Sequence, residues 1–482
     1  MIIVLGLSLA FSAVAIIGHY IRYELSYESG FTNHERIFRV TRQFFGATAA
    51  ETARTCPPLG DTALGIMPGL ESYTRMLPVD RLLWSLNRKD NRSINFFMKN
   101  CVCVDPSFCN IFGLNFSAGD AKNALRKPDE IILTESMART HFGDENPIGQ
   151  TLILAQEKVP FTVCGVVRDL PGNTHISFDC LISMEAFFRM MENQGNGDMR
   201  TMTGWDGPIL YVMKKPRADT SALISLLPEL TWQIFSNAGF NRDTLLSKTR
   251  YNLQPITDIH LRSKLIQETS VNSDMTIIYI FSAIAILILI IAAVNTINLF
   301  SALSLRRNRE IAVRKLLGSS SWRIILHSIV ESYMYILCSL IPAILTMLLF
   351  SPFYQRLTGH SLQSSNLLTP SFWLPLLGII ASFGIAVGFY PALVLNRFDP
   401  LEAIKGMKTP GSKGARIRKG LVVLQFTLAT AMIFSTLVVV RQLRFFSSFD
   451  LGFDPEDTLA LPFEGDLKRE FLADPETAKV AF

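Results

Sequence analysis

Five stretches of this chain run long enough with little or no charge to cross a hydrocarbon core, which takes roughly 20 residues of helix. Met1–Ile21, Thr276–Leu305, Phe372–Leu395 and Gly420–Val440 contain no Asp, Glu, Lys or Arg, and Ile324–Phe350 contains a single acid, Glu331. One such run is compatible with a buried helix of a soluble protein; five are not. The N-terminal run includes Ala13-Val14-Ala15, a small-residue pattern of the kind found at cleavage sites. No basic segment precedes it, however, and apolar sequence continues to Ile21, so the run reads as a span.

The distribution of basic residues orients these spans, because short cytoplasmic loops are enriched in Lys and Arg. Arg306, Arg307, Arg309, Arg314, Lys315 and Arg323 lie between the second and third spans. Arg397, Lys405, Lys408, Lys413, Arg416, Arg418 and Lys419 lie between the fourth and fifth, whereas 351–371 has only Arg356 and His360. Alternation then gives a helix 1–21, an external segment 22–275, a helix 276–305, an inner loop 306–323, a helix 324–350, a short external loop 351–371, a helix 372–395, a basic inner loop 396–419, a helix 420–440 and an outer segment 441–482. The net charge of +5 is accounted for by these loops and calls for no nucleic-acid partner.

The external segment is long enough for one large or two small domains and reads as mixed α and β. Ile37–Thr41 and Phe161–Val167 have the β-branched and aromatic content of strands, the latter followed by a turn at Asp169–Asn173. Ile131–Leu133 leads to Thr134, a helix N-cap ahead of Glu135–Arg139. Six of the seven cysteines fall in this segment, where disulfides persist, and Cys338 falls in the third span. Cys101 and Cys103 share one face of a strand and do not bond to each other. The remaining pairing is open between bridges and buried thiols.

Catalytic signatures are missing. His34, His141, His175 and His260 are scattered without metal-ligand spacing, and His175, Asp179 and Cys180 lack the context of a triad. Gly406 and Gly411 have phosphate-loop spacing, but Ser412 and Lys413 follow in the wrong order.

Six segments, in order, resemble the FtsX-like and MacB-type permeases of ABC transport systems: Ser29–Val40 (SGFTNHERIFRV), Val104–Leu114 (VDPSFCNIFGL), Ile131–Leu152 (IILTESMARTHFGDENPIGQTL), Phe161–Ser183 (FTVCGVVRDLPGNTHISFDCLIS), Ile297–Gly318 (INLFSALSLRRNREIAVRKLLG) and Tyr390–Gly406 (YPALVLNRFDPLEAIKG). The resemblance implies an α-helical multi-span membrane domain plus an external α+β domain of two lobes, Porter-like and Sabre-like, inserted between the first two spans. The membrane-proximal lobe would hold Arg22 to about Met67 and the stretch before Met275. The likeness extends to the doubled variant of the permease: the fifth span and Asp450–Pro462 look like the start of a second copy, so the chain reads as one module plus the first span of another.

The same resemblance implies a bacterial inner-membrane protein with its large domain in the periplasm. It implies no enzyme activity and no cofactor in this chain, with ATP and Mg bound by a separate cytoplasmic ABC ATPase dimer. Further candidate partners are a second permease module or the chain's own missing second half, a periplasmic adaptor, an outer-membrane channel and membrane lipid.

Arg309–Leu317 forms a short amphipathic helix in this reading. Glu310 and Arg314 make an i,i+4 pair, Gly318 is a stop, and Ser319–Ser321 supply the next N-cap. Arg306, Arg307, Arg309, Glu310, Arg314 and Lys315 are thus the expected coupling loop to the ATPase. Asn295 and Asn298 share a helix face suited to gluing helices, and Gly384 and Gly388 form a GxxxG suited to close backbone approach. Glu331, followed by Ser332, is expected to make a structural pair near the inner boundary.

The expected function is mechanotransmission: ATP hydrolysis by the partner moves the external domain to export or extract an envelope substrate. The alternatives are an FtsX-like regulator that activates an envelope enzyme without transport, and a membrane-anchored sensor.

Overall fold

The structure, a computed structural model, describes residues 1–46, 49–79, 81–87, 93–155, 157–239, 241–306, 313, 317, 319–359, 370–396 and 412–449. The chain divides into two compact units, residues 1–290 with 330–385 and residues 291–329 with 386–482.

Between the first helix, α1 (Ile2–Leu25), and the helix that starts at Met275, thirteen strands among the described residues form one sheet. They are β1 (Ile37–Phe44), β2 (Ala50–Thr52), β3 (Leu70–Val79), β4 (Leu82–Asn87), β5 (Ser93–Met98), β6 (Cys101–Val104), β7 (Phe116–Gly119), β8 (Glu130–Thr134), β9 (Thr151–Leu154), β10 (Val159–Val167), β11 (Cys180–Ser183), β12 (Ile209–Lys214) and β13 (Thr249–Pro255). Their order is β13-β1-β12-β3-β6-β11-β8-β10-β9-β4-β5, with β2 on β1 and β7 on β10. Strands β4 to β11 come from one continuous run and build one half. The other half is built from the sequence on either side of that run. The halves meet where β3 pairs antiparallel with β6, Met76 opposite Val104 and Val79 opposite Cys101.

Both faces of the centre of this sheet are buried, which is why segments such as Cys101-Val102-Cys103-Val104 are apolar at every position rather than at alternate ones. Successive side chains point to opposite faces, and the cores follow that alternation. Ile37, Val102, Ile132, Leu181 and Tyr211 belong to one core that runs under both halves. Their neighbours divide by half: Phe38, Leu210 and Val212 enter a second core, and Cys101, Cys103, Ile131, Leu133, Cys180 and Ile182 a third.

Helices α2 (Leu59–Ile66), α6 (Thr220–Ser225), α7 (Leu227–Phe235) and α8 (Arg242–Lys248) each place apolar residues, such as Leu59, Leu223, Leu230 and Leu245, in the second core. Helices α4 (Glu135–Phe142) and α5 (Met184–Asn193) cover the third, through residues such as Phe142 and Phe188. The shared core is closed by the short helix α3 (Phe108–Ile111), by Ile259 from α9 (Ile259–Arg262), by Phe31 and Ile256 from the connections towards the membrane helices, and by Ile176 from the β10–β11 loop.

Local signals in the strands and caps correspond to what forms. The Thr134 side chain accepts from the Met137 amide and starts α4. Strand β10 has a register shift between Val163 and Gly165, which leaves Cys164 in a bulge. Opposite that bulge, Gly119 has φ +89° and its backbone lies so close to β10 that an added Cβ would fall 2.5 Å from the Cys164 carbonyl oxygen.

Four helices are long and apolar enough to cross a membrane, by length and composition: Ile2–Leu25, Met275–Phe300, Trp322–Thr358 and Lys419–Ser447. They lie in α1, α10 (Met275–Arg306), α11 (Ser321–Thr358) and α13 (Ser412–Ser447). The remaining expected span lies on α12 (Pro370–Asn396), whose described apolar stretch is Trp373–Phe389. Helix α11 continues to Thr358, so residues 351–358, expected in an external loop, are helical. Its last turns are held by α1: Met347 and Tyr354 pack against Ala15, and the His19 ring Nδ1 lies 3.2 Å from the Tyr354 hydroxyl.

Two glycines with positive φ separate strain from crowding. Gly119→Ala is expected to destabilise the external domain by about 2 kcal/mol or more, since it adds overlap to an unfavourable φ. Gly143→Ala, with φ +61° and nothing within 4 Å of the new Cβ, should cost about 1 kcal/mol. Chemical unfolding of the two variants, followed by tryptophan fluorescence, measures the difference.

Candidate functional site

The buried carboxylates Glu24 and Glu28, with the buried imidazoles His175 and His260, gather where the chain leaves α1 and where it returns to α10. Glu28 lies three residues beyond α1 and takes φ +65°, a conformation that costs a non-glycine residue of order 1 kcal/mol. Hydrogen bonds hold it there. The Glu28 amide donates to the Asn173 carbonyl at 3.0 Å. Its carboxylate accepts from the His175 amide at 2.7 Å and the Thr174 hydroxyl at 2.8 Å, and the His175 ring Nδ1 lies 2.8 Å from the same oxygen as the amide. The other ring nitrogen lies 2.6 Å from the Tyr211 hydroxyl, on β12. Asn173 in turn donates to the Ser26 carbonyl and hydroxyl, both at 3.0 Å, at the C-cap of α1.

A second carboxylate–imidazole contact joins exit to return. Glu24, in the last turn of α1, lies 2.8 Å from His260 Nε2 on α9. The Tyr27 ring stacks on the His260 ring, centroids 3.3 Å apart. Beyond α9, the His260 carbonyl accepts from the Ser273 amide at 2.8 Å, and Asp274 caps α10 by accepting from the Thr276 amide at 2.8 Å. Lys264 and that amide hold the Asp274 carboxyl well below the usual carboxylate range.

Beneath the return segment lies Arg39 of β1, fully buried. Its guanidinium donates to both Glu268 oxygens at 2.6 and 2.9 Å, to Gln254 at 2.8 Å and to Ser263 at 2.8 Å. Burial opposes ionisation of Glu268, but the hydrogen bonds and charge of Arg39 outweigh it and hold this carboxyl below its ordinary value.

Chemically the Glu28–His175 pair is saturated. Both Glu28 oxygens and both His175 nitrogens are engaged, so neither side chain is offered to a substrate. Among the described residues no group of three His, Cys, Asp or Glu side chains is placed to hold a metal ion. The arrangement does one thing well: it fastens both connections of the external domain to its sheet and to each other.

The residues expected from sequence are placed elsewhere. Arg307, Arg309, Glu310, Arg314 and Lys315 lie outside the described residues, and Arg306 is described only as the last residue of α10. Between them, the Leu317 amide donates to the Val313 carbonyl at 3.0 Å, the spacing of an α-turn. Asn295 and Asn298 are half-buried on α10, and Asn298 Oδ1 has no hydrogen-bond partner among the described residues.

Gly384 is in close contact with α11: an added Cβ would meet the Tyr333 ring at 2.7 Å. At this crossing the Ser332 hydroxyl donates to the Gly384 carbonyl at 3.1 Å and the Tyr333 hydroxyl to the Ala381 carbonyl at 2.6 Å. Gly388 is buried and Glu331 half-buried.

Sequence reasoning treated His175 and His260 as ordinary satisfied polar residues and did not single out Glu24, Glu28, Arg39 or Glu268. Glu28 and His175 are 147 positions apart, which no periodicity connects. The available signal was that they adjoin or lie within two of the family-like segments, Ser29–Val40 and Phe161–Ser183.

Removing only one partner of the Arg39–Glu268 pair strands the other. Arg39→Met is therefore expected to cost about 3–5 kcal/mol, and Arg39→Met with Glu268→Leu considerably less. Because the folded-state pKa of Glu268 is depressed, the stability it contributes is present above its unfolded value and is lost as pH falls through the folded one. Urea unfolding at neutral and acid pH should show a steeper acid loss for the wild type than for the double variant.

Comparison with known proteins follows the same division of the chain. A family model described as the MacB-like periplasmic core domain matches residues 1–230, and one described as the FtsX-like permease C-terminal matches residues 282–400. The Macrolide export ATP-binding/permease protein MacB of Agrobacterium fabrum is 24% identical over 373 residues, covering 75% of this chain and 50% of that protein. The protein of the same name from Vibrio parahaemolyticus is 23% identical over 307 residues, covering 62% and 42%. The chain thus spans about half the length of the curated relatives it matches.

Among solved structures, a domain of a putative permease protein from Porphyromonas gingivalis is 24% identical and covers 47% of this chain and 91% of that one, with a TM-score of 0.38. The periplasmic region of MacB from Actinobacillus actinomycetemcomitans is 18% identical and covers 45% and 93%, with a TM-score of 0.30. With its two parts matched in order, the chain belongs to the MacB/FtsX-like permeases, membrane proteins in which a MacB-like periplasmic core domain precedes an FtsX-like permease domain.

Proposed function

We propose that this chain is the permease subunit of an ABC transport system and works by mechanotransmission. A separate cytoplasmic ATPase dimer binds ATP and Mg. Its closure displaces the loop that contains Arg306, Arg307, Arg309, Glu310, Arg314 and Lys315, and α10 carries the displacement to the external domain, which exports or extracts an envelope substrate. The relatives named as macrolide exporters make an amphiphilic small molecule one candidate cargo.

The observation that carries this reading is the double fastening at the root. Glu24 of α1 bonds His260, the return segment from His260 leads by way of Asp274 into α10, and Arg39 ties the same segment to β1. A displacement of α10 along its axis then has no slack loop in which to dissipate, since 32 residues of unbroken helix begin at that anchor. Val313 and Leu317, four residues apart in the loop and 47% and 82% exposed, offer an apolar edge for a groove on the ATPase.

Charge reversal at both Glu310 and Arg314 is expected to leave the protein inserted while abolishing the coupling of ATP hydrolysis to substrate release. The complex reconstituted with its ATPase in proteoliposomes provides the assay. Unchanged coupled activity with both charges reversed would sink the docking loop. Substrate-independent activation of an envelope hydrolase by the same complex would favour the regulatory alternative.

At the other end of α10, Glu24→Gln with His260→Phe should lower coupled transport at least several-fold and leave ATP hydrolysis in place. Transport at the wild-type rate would mean that the root fastening carries no stroke.

A further inference from the structure

Cys101 and Cys180 face each other at the centre of the sheet. They are partners in register on the parallel pair β6 and β11, and the Cys180 thiol donates to the Cys101 sulfur across 3.2 Å. Both are fully buried. Adjacent strands run about 5 Å apart, within the Cα separation that a disulfide spans. We propose that these two cysteines are a redox modification site, joined as a disulfide while the domain folds on the oxidising outer side of the membrane. The proposal rests on the outward placement of this domain, which the family membership supports.

Cys56, Cys164 and Cys103 are placed differently. Cys56 lies 3.5 Å from the Tyr251 hydroxyl and the Cys164 thiol donates to the Ile131 carbonyl at 3.5 Å. Cys103 is on the same face as Cys101 but sits opposite Ile182 and Leu77, so its neighbours across the strands carry no sulfur.

The bond it shares with Cys180 holds the Cys101 thiol below the usual thiol range, with burial opposing, whereas burial pushes Cys180 up. Before closure either thiol can start the exchange: as its thiolate it cleaves the disulfide of an envelope thiol–disulfide oxidant to form a mixed disulfide. The other cysteine's sulfur, losing its proton, then attacks the first and releases the oxidant as a dithiol. Two electrons and the two thiol protons pass to the oxidant. With both sulfurs shielded once the sheet closes, exchange takes place before closure, and the finished bond resists reductant until the domain unfolds.

The placement gives the bond a use. It closes a loop between residues 79 apart and locks β6 to β11, and β6 is the strand on which the other half of the sheet is hung through β3. Opening it is expected to lower the unfolding temperature of the domain by on the order of 10 °C.

The test uses the full chain in its own membranes. Thiols are trapped with acid, alkylated with N-ethylmaleimide in denaturant without reductant, and the digest is read by mass spectrometry. The expected result is a cross-linked pair of peptides containing Cys101 and Cys180, with Cys56 and Cys103 alkylated. Wild-type chain synthesised in the presence of reductant should unfold at a lower temperature than chain synthesised without it, with no such difference in the Cys101→Ala, Cys180→Ala double variant.

Alkylation of both Cys101 and Cys180, or a bridge from either to another cysteine, overturns the proposal. Asn196→Cys, on an exposed turn of the same domain, separates the causes of such a failure through a membrane-impermeant maleimide applied to permeabilised envelopes. Labelling there with both native thiols free overturns the disulfide alone. No labelling overturns it together with the outward placement.

Discussion

A carboxylate buried at Glu28 sets the terms for how the external domain is attached to the membrane. An ionised carboxylate taken out of water is costly unless its oxygens are filled, and here they are filled by Thr174 and His175, from the far side of the sequence. His175 is in turn oriented by Tyr211 on β12. The backbone at Glu28 is therefore held at positive φ by contacts that exist only when the whole domain is folded. The exit from α1 cannot be rebuilt locally, and the connection is correspondingly stiff.

The sheet makes that stiffness general. Because side chains alternate, strands β1, β6, β8, β11 and β12 each contribute one set of residues to a core shared by both halves and another to a core belonging to their own half. The shared core is the one that Phe31, Ile176, Ile256 and Ile259 close; Phe31, Ile256 and Ile259 belong to the connections with the membrane helices, and Ile176 follows His175 in the loop that holds Glu28. A force applied at the root thus reaches both halves through close-packed side chains, which transmit strain rather than absorb it. The second and third cores leave each half with its own helices and its own surface.

In the apolar helices the same economy of contact recurs with different residues. Gly384 lets the Tyr333 ring approach its backbone, and Ser332 and Tyr333 find carbonyls on α12. Hydrogen bonds of this kind are modest individually, about 1 kcal/mol, but they fix the register of two smooth helices. The GxxxG at Gly384 and Gly388 and the neighbouring Glu331-Ser332, which the sequence singled out, fall at or beside the crossing. The residue doing the contacting, Tyr333, carried no signal, because its hydroxyl becomes informative only when a facing carbonyl is known.

Long uncharged runs, the placement of Lys and Arg, the strand and cap signals around Thr134 and Phe161–Val167, and the six family-like segments were all determined by the sequence. Each depends on composition or on spacing within a few residues, where backbone geometry links pattern to structure directly. The pairing of Glu28 with His175, Glu24 with His260, Arg39 with Glu268 and Cys101 with Cys180 was decided by tertiary structure. Each joins residues brought together by the crossing of strands, and no local periodicity encodes that meeting. The end of α11 belongs to the same class. The expected span ended at Phe350, where the apolar run gives way to Ser351-Pro352, but packing of Tyr354 against α1 carries the helix to Thr358.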